Sequence, residues 1–364
     1  MKILIYLGHP AQFHFFKNSI RQLKENGNDI FILIKSKDVL ENLLLEEKFD
    51  YFNIQKKTRK NSTTTILIAS IQRTIQVVKF SLKNNIDLLL GTDSSIAQAA
   101  FLLRKKSITT LEDDYKVIKK LCNLTYPFTN TILVPSVCDV GRWENKKIGY
   151  QGYMKLAYLH PIRFTPDINI KKKYVDAEKY ILIRVAKLNA YHDVGIKGLN
   201  RNTLLKIIEL GETLGYKVFI NSETKLENEF EKYLLPINPS HVHHILSYAS
   251  LLISDSQSMS VEASMLGVPS VRFSDFSGEI SVLEELEHTY GLTYGVKTNS
   301  QEIFFEKIKN ILLTSGLNEI YKDKQEKLLR DKIDVASFLT WFIENYPESS
   351  KIMKQNPNYQ FNFK

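Results

Sequence analysis

Short apolar runs alternate with helix-length segments along almost the whole chain, and this rhythm constrains the fold before any motif is considered. Runs at Lys2–Leu7, Ile30–Ile34, Asp87–Leu90, Ser107–Thr110 and Thr131–Val134 read as strands. The segment FFKNSIRQLKENGND after the first run has a helical pattern and stops at a glycine before the next run, the sign of a β-α-β unit. Pro161, Pro166 and a polar stretch to about Lys173 interrupt the rhythm, which restarts at Tyr180–Lys187, Lys217–Ile220, Leu251–Ser254 and Pro269–Phe273. Strands joined by helices pair in parallel and take helices on both faces. The expected architecture is therefore α/β: two doubly wound parallel-sheet domains, residues 1–165 and 166–333, facing each other across a cleft, then a C-terminal helix and tail over 334–364. Gln301–Leu313 and Asp334–Tyr346 read as helices, the second with Phe338, Trp341 and Phe342 on one face. A chain of 364 residues, 43% hydrophobic, is long enough for two such cores.

The sharpest local signal is LLISDSQSMSVEASMLGVPSVRF, from Leu251 to Phe273. It reads as strand, polar loop, a helix over roughly Gln257 to Leu266, and a Gly-x-Pro stop before the next strand. In an open α/β sheet that loop lies at the carboxyl edge, where ligands bind. Backbone N–H groups at the start of the helix and the positive end of its dipole suit phosphate. Ser256, Ser258 and Met259 open the helix, and Glu262 follows. A carboxylate there can accept both hydroxyls of a ribose while the loop takes the phosphates. The plainer account of Glu262 is an acid that stabilises the helix dipole by about 0.3–1 kcal/mol.

Three other stretches carry candidate chemistry. RVAKLNAYHDVGIKG places Arg184, Lys187, His192 and Asp193 beyond a core strand, where cations neutralise a diphosphate and Gly195 and Gly198 permit close backbone approach; a polar loop with turn glycines is the alternative. HVHH, from His241 to His244, lacks a carboxylate or cysteine at ligand spacing, so it reads as a capped helix and no metal site is expected. In the first half, GHPAQFHFF offers His9 and His14 in the loop leaving the first strand, each able to take a proton near neutral pH. LEDD clusters Glu112, Asp113 and Asp114 after another strand. Packed like charges raise one pKa, which suits a general base, or one of these acids caps a helix beginning near Tyr115. Asp93 in GTDSS has the same two readings.

These motifs, with EDD, YQGYMKLAYLHPIRFTPD, HHILSYASLLISDSQSMSVEASMLGVPSVRF and LEELEHTYGL, carry a resemblance over nearly the whole chain. The chain resembles the GT-B superfamily, whose two Rossmann-like domains face each other, and more closely an uncharacterised bacterial and archaeal family of predicted glycosyltransferases. It is also similar to the UDP-sugar 2-epimerases of the same fold. Their Asp-Ser-Gly-Gly loop becomes Asp255-Ser256-Gln257-Ser258 here, without the glycines, and their ribose-binding glutamate falls on Glu262. The resemblance implies a metal-independent glycosyltransferase without a cofactor, taking a nucleotide sugar such as a UDP-sugar as donor and a surface-polysaccharide or lipid-linked glycan as acceptor. It implies His243 or His244 beside the nucleotide and a base in the loop that carries His14; the Glu112-Asp113-Asp114 cluster is the other candidate base. The alternative is a non-hydrolysing UDP-sugar 2-epimerase.

Charge separates the halves. The net charge is +9, but residues 1–165 hold 25 Lys and Arg against 14 Asp and Glu, and the remainder 24 against 26. Clusters at Lys56–Lys60, Arg104–Lys106 and Lys119–Lys120 come with no nucleic-acid-binding motif. An anionic acceptor or the anionic face of a membrane is thus expected, and nucleic acid is not. The segment STTTILIASIQRTIQVVKFSLKNN is expected to be a helix with Ile66, Ile68, Ile71, Ile75, Val78 and Phe80 on one apolar stripe, facing either the core or lipid. Two cysteines make no disulfide framework, and no apolar run reaches the ~18 residues of a membrane span, so a cytoplasmic protein, associated with the inner face of the membrane, is expected.

Overall fold

The computed structural model describes residues 1–35, 38–55, 63–186 and 198–364. The chain forms two compact units, one of residues 1–158 with 332–364 and one of residues 159–331.

The first unit is built on a seven-stranded sheet: β1 (Lys2–Leu7), β2 (Asp29–Lys35), β3 (Phe52–Gln55), β4 (Leu88–Gly91), β5 (Lys106–Thr110), β6 (Thr131–Pro135) and β7 (Lys147–Tyr150). All pairings are parallel, in the order β3-β2-β1-β4-β5-β6-β7. From Ile3 to Leu7 the central β1 is fully buried, as a strand covered by helices on both faces must be. The strand order reverses between β1 and β4, and there the two carboxyl ends open a crevice. The helix Val335–Glu344 belongs to this unit. Asp334 caps it, Phe338 and Phe342 are fully buried, and Ser19 of the helix Pro10–Glu25 donates to the Ala336 carbonyl at 3.1 Å.

The helix expected from STTTILIASIQRTIQVVKFSLKNN spans Thr63–Asn84, but its core face differs from the stripe read from sequence. Thr74, Val77 and Ser81 face the core and Val78 and Phe80 of the expected stripe pack half-buried against it, while Ile68, Ile71 and Ile75 are exposed; the Ile66 side chain lies outside the described residues. Residues 74, 77 and 81 share one face at helical spacing, and the three isoleucines are centred about 120° further round the helix.

The second unit has five parallel strands: β8 (Tyr180–Val185), β9 (Lys217–Ser222), β10 (Leu251–Ser254), β11 (Ser270–Phe273) and β12 (Thr293–Val296). Their order is β9-β8-β10-β11-β12, so the reversal falls between β8 and β10. Tyr180, Leu182, Leu252, Ile245, Met259 and Ala263 pack into one core cluster beneath that point.

Candidate functional site

At the end of β10 the Ser254 hydroxyl accepts the Ser256 N–H at 2.7 Å, which bends the chain out of the sheet. Ser256 then caps the helix Gln257–Met265, its Oγ 3.5 Å from the Met259 nitrogen. The N–H groups of Gln257 and Ser258 remain as donors at the start of the helix, with the positive end of the dipole behind them. Met259 contributes its backbone to this cap while its side chain goes into the core. Ser258 is half-buried on the first turn. Further along the same helix Glu262 is buried, its Oε1 3.4 Å from His243 Nε2. His243 sits in the short helix Val242–Leu246, which follows a turn capped by Asn238.

The other histidines of HVHH diverge. His244 Nδ1 accepts the Asp167 N–H at 2.9 Å and its ring lies 4.8 Å from Phe164, while His241 pairs with the Tyr174 hydroxyl at 2.9 Å. Among the described residues no cluster of three His, Cys, Asp or Glu side chains is placed to hold a metal.

Two residues that the sequence did not single out organise this edge. Asp255 is buried at the tip of β10, where Oδ1 accepts the Ala186 N–H at 2.7 Å and Oδ2 the Leu199 N–H at 3.2 Å. One carboxylate thereby ties the end of β8 to the backbone at Leu199. Gly198 is required beside it, because a Cβ there would lie 2.5 Å from Asp255 Oδ2. Burial pushes the Asp255 carboxyl up to about 6, against the pull of its two N–H donors and Arg184. The folded chain then holds this proton more tightly than the unfolded chain, where a carboxyl titrates near ~3.9. Between about pH 4 and 6 the unfolded state binds fewer protons, so this residue's contribution to stability falls as pH rises and is level above the window. Asp255→Asn is expected to remove that slope, on the order of 2–3 kcal/mol across the window, in denaturant unfolding of parent and variant at each pH. Equal slopes would show that the carboxyl titrates as an ordinary one.

Arg272 is the second. It lies on β11 opposite Ser254, fully buried, with Nη1 3.1 Å from Gln257 Oε1 and Nη2 3.3 Å from Glu287 Oε2. Glu287 also accepts the Gly295 N–H at 2.8 Å, and Gln257 donates to Ser274 at 3.2 Å. A positive charge is thus buried next to the helix start. Burial lowers the Arg272 pKa and raises that of Glu287. Arg184, by contrast, turns toward β9 and engages Asn221 and Glu223, so its guanidinium is largely committed. Lys187 and His192 lie outside the described residues.

In the first unit, His14 does not lie in a loop. Pro10 opens a helix immediately after Gly8 and His9, and His9 caps it by accepting the Ala11 N–H at 3.2 Å. His14 is therefore on the second turn, stacked on Tyr158 at 5.1 Å. Glu112 pairs with Lys155, both about nine-tenths buried, and accepts the Met154 N–H at 2.6 Å. His14 and Glu112 thus both touch the segment 154–158. Asp113 is half-buried next to Glu112. Asp114 does not cap a helix at Tyr115: it accepts the Asp139 N–H at 2.7 Å, and the helix begins only at Lys119. Asp93 does cap its helix and also holds Arg73, 3.2 Å from Nε.

Residues 1–337 match the model of a family described as "Protein of unknown function (DUF354)". No curated protein sequence matches the chain significantly. Among solved structures, one from Listeria monocytogenes, assigned as a UDP-N-acetylglucosamine 2-epimerase, superposes with a TM-score of 0.69 at 13% identity over 96% of this chain and 97% of that one. The UDP-GlcNAc 2-epimerase of Neisseria meningitidis, bound to UDP-GlcNAc, gives 0.63 at 16% identity over 91% and 100%. A spinosyn rhamnosyltransferase complexed with thymidine diphosphate gives 0.62 at 12% identity over 94% and 100%. With the two parallel sheets, this likeness identifies the fold as GT-B, as expected from the sequence.

Proposed function

The chain belongs to the DUF354 family, whose description assigns no activity, and from that premise we propose that it is a GT-B nucleotide-sugar enzyme, specifically a metal-independent glycosyltransferase. One observation carries the reading: a helix start with two donor N–H groups stands at the β8/β10 reversal, and the same helix presents the buried Glu262. The diphosphate of a UDP-sugar is assigned to the N–H groups of Gln257 and Ser258 and the hydroxyls of Ser256 and Ser258. The two ribose hydroxyls are assigned to the Glu262 carboxylate, with His243 orienting it. Two of the solved neighbours, one bound to UDP-GlcNAc and one complexed with thymidine diphosphate, support this ligand class. Lys187 and His192 are kept as diphosphate contacts on sequence position alone, and Arg184 as a weaker one.

In the proposed transfer, an acceptor hydroxyl oxygen bonds to the sugar C1 as the bond from C1 to the phosphate oxygen breaks. The hydroxyl proton passes to His14 or Asp113, and the nucleoside diphosphate leaves with the electron pair. Glu112 suits this role less, since Lys155 already holds its charge. The helix dipole and buried Arg272 stabilise the leaving group in place of a divalent metal. The acceptor is a surface-polysaccharide or lipid-linked glycan.

A 2-epimerase is the second reading, favoured by the epimerases among the structural neighbours. Incubation with UDP-GlcNAc and no acceptor separates the two. The transferase reading expects no new sugar nucleotide, and turnover with acceptor that survives excess EDTA. A 2-epimer formed without acceptor overturns it in favour of the epimerase, and loss of transfer in EDTA, restored by Mg²⁺, overturns the metal independence.

A further inference from the structure

Among the described residues, the helix Thr63–Asn84 packs one apolar face against the core and leaves a second apolar stripe exposed. Ile68, Ile71, Ile75 and Leu82 are 51%, 53%, 48% and 64% exposed. At 100° per residue these four fall within about 60° of one another around the helix, a stripe too regular for scattered surface residues. Lys79 and Lys83 are exposed along one border of the stripe. The next helix, Ser94–Leu102, packs alongside, with Gln98 3.2 Å from Thr74, and ends in exposed Phe101 and Leu102. Beyond it the helix Lys119–Thr125, joined by the 3.1 Å bond from Gln98 to the Leu124 carbonyl, adds exposed Leu124. Arg104, Lys105, Lys106, Lys119 and Lys120 follow or open these segments, and the exposed ones among them place positive charge around apolar side chains.

From this surface we infer that the helix Thr63–Asn84 docks peripherally on an anionic lipid bilayer, its isoleucine stripe entering the headgroup boundary and its lysines meeting lipid phosphates. An apolar stripe bordered by Lys and Arg is the pattern of helices that lie in the membrane interface. No helix among the described residues is long and apolar enough to cross a membrane, so the contact is made from one side. The charge argues against a second copy as the occupant. A two-fold interface on this face would bury its lysines and arginines with no acidic residue from the helices Thr63–Asn84, Ser94–Leu102 and Lys119–Thr125 to offset them, whereas anionic lipid complements them. The inference concerns the first unit alone and stands independently of the nucleotide assignment.

Cosedimentation of the full chain with vesicles tests it. The parent is expected to bind phosphatidylcholine vesicles containing phosphatidylglycerol at low salt, to bind pure phosphatidylcholine far less, and to be released as ionic strength rises. Ile68→Ser, Ile71→Ser and Ile75→Ser together replace exposed residues and leave the core face intact, so the variant should keep its melting temperature while losing binding at least about tenfold. Lys79→Glu with Lys83→Glu should shift release to lower salt. The inference is overturned if the parent does not bind, or if the triple variant binds as well as the parent. It is also overturned if light scattering shows a dimer that the triple variant dissolves, since the stripe then pairs with itself.

Discussion

Replacing Glu262 by alanine is expected to weaken UDP binding by about ten- to a hundredfold while leaving the chain folded. A hydrogen bond to a charged group contributes about 1.5–3 kcal/mol, and each 1.4 kcal/mol is tenfold in affinity. The two carboxylate oxygens match the paired hydroxyls of a ribose, and a methyl group in their place offers no acceptor. The fold survives because the helix is held from its other faces: Ser256 caps it, and Met259 and Ala263 stay in the core. Glu262→Gln separates orientation from charge. It keeps one acceptor oxygen and turns the other into an NH2 donor, so one acceptor role, toward the ribose or toward His243, is lost, and its effect should fall between parent and alanine. Calorimetric titration with UDP checks both variants, with a melting curve as control. Unchanged affinity in Glu262→Ala would reduce the residue to the partner of His243 and remove the anchor of the nucleotide reading.

That site was legible in the sequence where the chemistry is local. Gln257 to Leu266 was read as a helix and Gln257–Met265 is found, because a serine cap, a strand before and a glycine after are all within a few residues. The edge strands β3, β7 and β12 are not legible there: Phe52–Gln55 is exposed or half-buried throughout, Lys147–Tyr150 alternates and Thr293–Val296 is half-buried at its centre, so none has the continuous apolar run of an interior strand. The loop expected after Gly8 stops short of His14, because Pro10 sets the backbone dihedral of a first helical turn and starts the helix early. The helix Thr63–Asn84 shows the same limit from the other side. Composition announces an apolar face but not which face is the core, and Val77 between two small hydroxyl residues wins over the isoleucines because the neighbouring helix lies there. Asp255 and Arg272 were missed for a further reason. Their partners are Ala186, Leu199, Gln257 and Glu287, and only the strand order brings these together.

Arg272 therefore supplies the prediction that sequence alone does not reach. Arg272→Met is expected to cost about 3 kcal/mol in urea unfolding, at the lower end of the range for breaking a buried ion pair. Methionine fills much of the space, so the loss comes mainly from the charge left behind. Glu287, its side chain 19% exposed, would then keep the Gly295 N–H but lose the guanidinium that offsets its burial. Adding Glu287→Gln removes the stranded charge, and the double variant should recover about 1–2 kcal/mol over the single one, the size of coupling found between neighbouring residues. Nucleotide affinity should not recover with it. Gln257 loses the Nη1 contact in both variants, and the positive charge next to the donor N–H groups is absent from both. A stable double variant with weak UDP binding is thus the expected outcome. If UDP affinity returns with stability, Arg272 serves only the packing of the sheet. If the double variant is no more stable than the single one, Arg272 and Glu287 are not energetically coupled, and the buried charge is balanced by the dipoles around it rather than by its carboxylate.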